Sequence, residues 1–146
     1  MIIKESTNEE IGNILELAWN TFLKYEAPDY TEDGIQEFKK FITNKEAIES
    51  LKLYGAYEDN ELLGMIATRN ENTHIALFFL KDEYQGKGIG RKLYEYIKQL
   101  SKEENITVNS SPYALNIYKR LCFIPTSEEQ ITNGMRYTPM KTLIKK

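Results

Sequence analysis

The stretch Gln85-Gly86-Lys87-Gly88-Ile89-Gly90-Arg91 constrains this chain more than any other. The apolar run before it, Ile75-Ala76-Leu77-Phe78-Phe79-Leu80, reads as a buried strand. After it, Ile89, Leu93, Tyr96, Ile97 and Leu100 recur at helical spacing, so the glycines stand where a strand turns into a helix. Residues without Cβ tolerate φ > 0 and let successive backbone N–H groups converge on one point. The helix adds the positive end of its dipole, and Lys87 and Arg91 add cationic charge. A turn of this kind holds a phosphate; the plainer alternative is a glycine-rich surface turn with two solvated cations.

Spacing narrows the ligand. The dinucleotide pattern G-x-G-x-x-G fails, because Arg91 stands at the last glycine position. No G-K-[ST] ending of a nucleotide-triphosphate loop is present. What fits is Q-x-x-G-x-G on Gln85, Gly88 and Gly90.

The rest of the chain alternates strand and helix signals. Ile2 to Glu5 reads as a strand, and Thr7-x-x-Glu10 is a capping-box signature ahead of the helix face Ile11, Ile14, Leu15, Ala18 and Phe22. Pro28 ends that helix near Tyr25, and Thr31 caps a second one carrying Ile35, Phe38 and Ile42. A short helical piece is expected from Asn44 to Leu51. Lys52 to Glu58 and Leu62 to Thr68 form a hairpin about Asp59-Asn60, and Glu71-Asn72 turns into a strand from Thr73 to Leu80. The glycine loop and its helix follow, to about Glu103, then a strand at Ile106 to Asn109. Pro112 opens a helix with Ala114, Ile117, Tyr118 and Leu121 on one face. Strands from Phe123 to Glu128 and Met135 to Leu143 flank Thr132-Asn133-Gly134, and Lys145-Lys146 reads as a solvated tail. The order β-α-α-β-β-β-α-β-α-β-β implies a layered α/β domain with a mixed sheet.

With 146 residues the chain fits one domain, spanning 1–146. A net charge of −3 argues against nucleic acid as a partner. No apolar run approaches the ~20 residues that cross a bilayer, so no membrane association is expected. Met1 to Glu5 has no basic region leading into a long apolar stretch, as a secretory signal would. Cys122, the single cysteine, has no internal partner and fits a reducing, cytoplasmic setting.

A second motif joins the first. In the run Ser111-Pro112-Tyr113-Ala114-Leu115-Asn116-Ile117-Tyr118-Lys119-Arg120-Leu121-Cys122-Phe123, three residues fall on N-x-x-A-x-x-x-Y-x-x-x-G-F: Ala114, Tyr118 and Phe123. With the glycine loop, this makes the chain resemble the GNAT superfamily of N-acetyltransferases. The resemblance is specific from about Leu53 to Leu143; before that it rests on element order alone. It implies a single-domain GNAT-like fold, α/β, with a mixed, mostly antiparallel central sheet flanked by helices. It also implies transfer of an acetyl group from acetyl-CoA to an amine on a small molecule or peptide, by direct attack in a ternary complex. No metal is implied, and a homodimer is compatible with everything above.

On that resemblance, Gln85, Gly86, Lys87, Gly88, Ile89, Gly90 and Arg91 would cradle the pyrophosphate, and the backbone at Leu80 would bond the pantetheine arm. Ser111 replaces the asparagine that usually bonds that arm, with shorter reach. Tyr118 would protonate the leaving thiolate, because a phenol of pKa about 10 is a workable donor to a thiol of about 8.5. Cys122 replaces the usual glycine before Phe123, so the turn there is made without an easy φ > 0 residue.

The acceptor side is less sharply marked. A lysine-like amine of pKa about 10.4 is neutral in roughly one molecule in a few thousand at pH 7, so a base is useful. His74, the only histidine, lies where some family members keep a catalytic carboxylate, and its ordinary pKa near 6.5 suits a base. Glu26, Asp29 and Tyr30 lie in the connection that commonly walls the acceptor pocket in the family. Two carboxylates beside aromatic rings attract a cation, and either competes with His74 as the base, although lining the pocket is their plainer role. Trp19 is either pocket wall or core. The rival reading is a non-catalytic acyl-CoA binding or sensing module that keeps the loop and lacks an effective base.

Overall fold

The computed structural model describes residues 1–142. Strand β1 (Ile2–Glu5) leads to α1 (Ile11–Tyr25), a single 3-10 turn (Ala27–Asp29), α2 (Glu32–Thr43) and α3 (Lys45–Glu49). Three strands follow, β2 (Lys52–Glu58), β3 (Glu61–Arg69) and β4 (His74–Leu80), then α4 (Ile89–Leu100) and β5 (Thr107–Ser110). The chain continues through α5 (Leu115–Arg120), β6 (Phe123–Pro125), β7 (Gln130–Thr132) and β8 (Met135–Thr142). This is the expected layered α/β order, with the short helix after Asn44 realised and one further strand, β7, near the end. Leu143, Lys145 and Lys146 lie outside the described residues.

Local chemistry sets most boundaries. Thr31 Oγ1 accepts from the Gly34 N–H and Asn44 Oδ1 from the Ala47 N–H, so both caps form as side-chain oxygens taking unpaired helix donors. At the first helix the box is only half made. Glu10 takes the Thr7 N–H at 2.9 Å, but this closes a turn, and α1 starts after it at Ile11. Asp59 and Asn60 both adopt positive φ between β2 and β3, as do Asn133 and Gly134 between β7 and β8. A tight hairpin asks for that geometry. Cys122 sits at φ 72°, in the left-handed region where its family pattern has glycine.

The strands run in the order β1-β2-β3-β4-β5-β8-β6, with β7 paired to the outer part of β8. Every pairing is antiparallel except β4 with β5. Alternation along β4 divides the core. Leu77 and Phe79 join α1 and α2 on one face, while Phe78 and Leu80 pack with α4 and α5 on the other, where the register shift opposite Ala67 and Thr68 also turns Ile75. Trp19 belongs to the first of these layers, stacked near Phe22 and Phe38.

Two features prepare the site. Strands β4 and β5 pair only at His74–Thr107 and Ile75–Val108 and then part, so the sheet opens at its middle. Across one face, the start of α2 touches the β7–β8 turn through two glycines. A Cβ on Gly34 would lie 2.3 Å from the Gly134 carbonyl oxygen. Gly34→Ala should therefore lift the hairpin off α2 at a cost of roughly 1–3 kcal/mol, as overpacking usually does. Thermal unfolding reads this as a fall in Tm of about 2–4 °C per kcal/mol. An unchanged Tm would show that this contact is slack.

Candidate active site

The glycine loop forms the donor-rich end of the opening. Gly86 and Gly88 take φ of 76° and 84°, and a Cβ at either would meet nothing within 4 Å, so their outer faces are open. The first backbone bond of α4 runs from the Lys92 N–H to the Gly88 carbonyl. The amides of Gly86 to Arg91 are thus free of backbone acceptors among the described residues. Gly90 faces inward instead: a Cβ there would make ordinary contact with Leu80 and Phe78, where α4 packs on the end of β4. Such an array of free N–H groups at a helix start can hold a phosphate.

Side chains fix the loop in place. Gln85 donates to the Leu80 carbonyl at 3.4 Å and accepts from the Tyr113 hydroxyl at 3.2 Å. Tyr113 stacks on Tyr25 at 5.0 Å between centroids, and Lys24 pairs with Asp82 beside them. Arg91 donates to the Arg120 carbonyl at 2.9 Å, tying α4 to the end of α5. The Ile89 side chain is buried with Leu93, which leaves its amide as its only offering. Lys87 places Nζ over the Tyr84 ring at 5.8 Å.

Two cavities meet behind this loop. One, of about 470 Å³, runs from Gly86, Gly88 and Arg91 past Leu80 and Ile117. The other, of about 350 Å³, lies between β4 and the roof made by α2 and the β7–β8 hairpin. Glu26, Phe78, Phe79, Ala114 and Tyr118 line both, so a carboxylate and a phenol stand at the junction. Glu26 is held there as the C-cap of α1, its N–H bonded to Phe22. Burial pushes its carboxyl up to about 7; the Ser111 hydroxyl opposes this and the Asp29 charge adds to it. Tyr118 is 5% exposed, and burial, with the Glu26 charge second, raises its hydroxyl well above the ordinary tyrosine value.

Of the remaining expected residues, three line the cavity under the roof and one lines neither cavity. Tyr30 and His74 line the one under the roof, with Ser111. Ser111 also accepts from the Ala114 N–H at 3.2 Å, so its hydroxyl works at the start of α5 and on Glu26. Asp29 is not among the lining residues; its carbonyl receives Arg136 Nη1 at 3.5 Å. His74 Nδ1 lies 2.8 Å from Thr107 Oγ1, at the end of β4 that is still paired. Burial, with Arg69 second, holds its pKa below the ordinary value. Its partner Arg69 lies three residues of β3 beyond Ile66, the partner of Phe78, so His74 stands about 10 Å from Phe78 at ~3.3 Å per residue.

Several lining residues had no sequence signal. Arg69, Glu37, Phe41, Asn133, Arg136 and Tyr137 reach the second cavity from β3, α2 and the last hairpin. Only the sheet register and the Gly34–Gly134 contact bring them together. Among the described residues no helix is long and apolar enough to cross a membrane, and no cluster suited to a metal occurs.

Comparison with curated proteins finds no match. Solved structures similar in fold include a GCN5-related N-acetyltransferase from Rhodopseudomonas palustris, at TM-score 0.82 and 14% identity over 97% of this chain and 94% of that one. A second is the PaiA N-acetyltransferase of Thermoplasma acidophilum in complex with coenzyme A, at 0.73 and 20% over 97% and 99%. A third is an IAA acetyltransferase from Bacillus cereus, at 0.63 and 19% over 97% of both chains. A family model, the acetyltransferase (GNAT) domain, matches residues 26–144. With that match over most of its length and the fold to go with it, the chain belongs to the GNAT acetyltransferase family.

Proposed function

We propose that this protein transfers an acetyl group from acetyl-CoA to an amine by direct attack within a ternary complex. The observation that carries the proposal is the shared wall of the two cavities, where Glu26 and Tyr118 face the place at which two substrates would meet. Acetyl-CoA would lay its diphosphate on the amides of Gly86 to Arg91 and its pantetheine arm along the unpaired edge of β4. An amide-bearing arm suits such an edge, because strand-like ligands add to exposed backbone groups.

Proton traffic then falls to two side chains. Glu26 takes a proton from the ammonium of the acceptor, and the neutral nitrogen attacks the thioester carbonyl. Free backbone donors of β4 near Leu80 stabilise the developing oxyanion. The N–C bond forms, the C–S bond breaks, and Tyr118 gives its proton to the departing thiolate. The nitrogen sheds two protons in all: the one held by Glu26 passes by relay to restore Tyr118, and the second, lost from the nitrogen as the amide forms, leaves through the freed Glu26 carboxylate to solvent. In this proposal Glu26, which the sequence offers as an acceptor contact and as a competing base, takes the base role that the resemblance offers His74. A carboxyl near pKa 7 is matched to physiological pH, and it stands at the junction while His74 stands about 10 Å along β4. His74 then serves as a neutral wall of the acceptor cavity.

Thiol release assayed against a panel of amines tests the transferase reading; coenzyme binding with no release on any amine would support the sensing module instead. Tyr118→Phe should keep coenzyme affinity and lower turnover by about 10–100-fold, at the modest end for general acids because thiolates leave readily. Equal turnover would remove the acid role.

A further inference from the structure

The cavity under the roof narrows the acceptor further than "an amine", given the transferase reading on which this inference rests. Its roof is closed by backbone, because Gly34 and Gly134 approach too closely for either to carry a Cβ. Arg136 fastens the same side, donating to the Asp29 carbonyl while Glu129 grips it through Nε and Nη2. A polypeptide laid across the site would have to break both fastenings. An acceptor that enters as a whole small molecule, into about 350 Å³, does not.

Charge inside the cavity is arranged in order. Glu26 is at the inner end, where it attracts the ammonium and repels any anion next to it. At the outer end is Arg69, which pairs in register with His74, three residues of β3 beyond the Ile66–Phe78 pair. Its guanidinium lies 5.7 Å from the Phe41 ring and, among the described residues, makes no ion pair, although Glu37 lines the same cavity. A flat five-donor fork steadied on an aromatic face is suited to a carboxylate. Phe38 and Phe41 wall the space between the two ends. Three residues of strand are ~10 Å, and a hydrogen-bonded contact at Arg69 takes about 3 Å of that.

We propose that the acceptor is a small aminocarboxylate whose amine and carboxylate are held roughly 7–10 Å apart by an apolar or dipeptide-sized body, with Arg69 binding the carboxylate. Arg69 is thus a specificity residue that touches the acceptor far from the reacting nitrogen.

The test uses a matched pair, 4-(aminomethyl)phenylacetate and its carboxamide, titrated calorimetrically into the full chain with coenzyme A present. The acid should bind the wild type at least about tenfold tighter, the worth of one charge-assisted pair. Arg69→Met should bring the acid down to the carboxamide's affinity. Equal affinities in the wild type, an acid advantage that survives Arg69→Met, or binding of neither compound would each overturn the inference. Thiol release measured in parallel separates the two levels. Turnover with no acid preference sinks this inference alone, and an Arg69-dependent preference in binding without release on any amine sinks the transferase reading alone.

Discussion

Gly88→Glu will lose coenzyme binding by about a hundredfold or more, equivalent to ~2.8 kcal/mol at about 1.4 kcal/mol per tenfold. Three effects act in the same direction. Gly88 holds φ 84° at the N-cap of α4, and an L-residue there costs roughly 1–2 kcal/mol. The new side chain projects into space that is now open and that the diphosphate would fill. Its charge faces phosphate at a helix start, reversing the attraction the dipole provides. Because a Cβ at this position meets nothing within 4 Å, the fold should survive with a modest fall in Tm. Gly88→Ala separates the terms, since it keeps the backbone strain and omits the charge. Calorimetric titration with coenzyme A reads the outcome, and wild-type affinity in Gly88→Glu would mean that the ligand binds elsewhere.

Glu26→Gln should lower kcat by about 10²–10⁴-fold, the usual worth of a general base, with a small change in coenzyme affinity. In the wild type, activity should rise with pH through about 7 as Glu26 ionises. The Gln variant should lose that limb, and His74→Ala should keep it. Stability moves oppositely. Folding raises the Glu26 pKa from 4.5 to about 7, so the folded chain holds this proton more tightly than the unfolded one. Its favourable contribution is complete below 4.5 and is lost as pH rises through about 7. Glu26→Gln, which cannot ionise, should therefore gain Tm relative to the wild type above pH 7 while being nearly inactive. A variant that is both inactive and less stable at pH 8 would point to a structural role for this carboxylate.

The glycine loop was readable because its chemistry is local: strand, loop and helix are consecutive, and Gln85, Gly88 and Gly90 need no distant partner to declare their geometry. Tyr118 was readable through its spacing from Ala114 and Phe123, which one short helix enforces. Glu26 was visible as an acidic residue in the right connection, but its raised pKa was not. That follows from burial against α5 and β4, elements far along the chain, which outweighs the opposing Ser111 hydroxyl. His74 drew attention by its type and by its place at the start of the strand before the loop; the position of Phe78 further along β4 separates it from the junction. The roof is the least local feature. Gly34 looked like an ordinary residue early in α2 and Gly134 like half of a turn, and nothing in either neighbourhood announces their contact. Arg69 likewise gains meaning only from the register of β3 on β4 and from α2 above it.

Each of these consequences depends on where one ligand lies. The structure of the chain with coenzyme A bound measures this directly. The account predicts the diphosphate against the amides of Gly86 to Arg91, the pantetheine between the parted ends of β4 and β5, and the sulfur beside Tyr118 and Glu26. A coenzyme whose sulfur points away from that shared wall, or whose diphosphate rests on another surface, would contradict it.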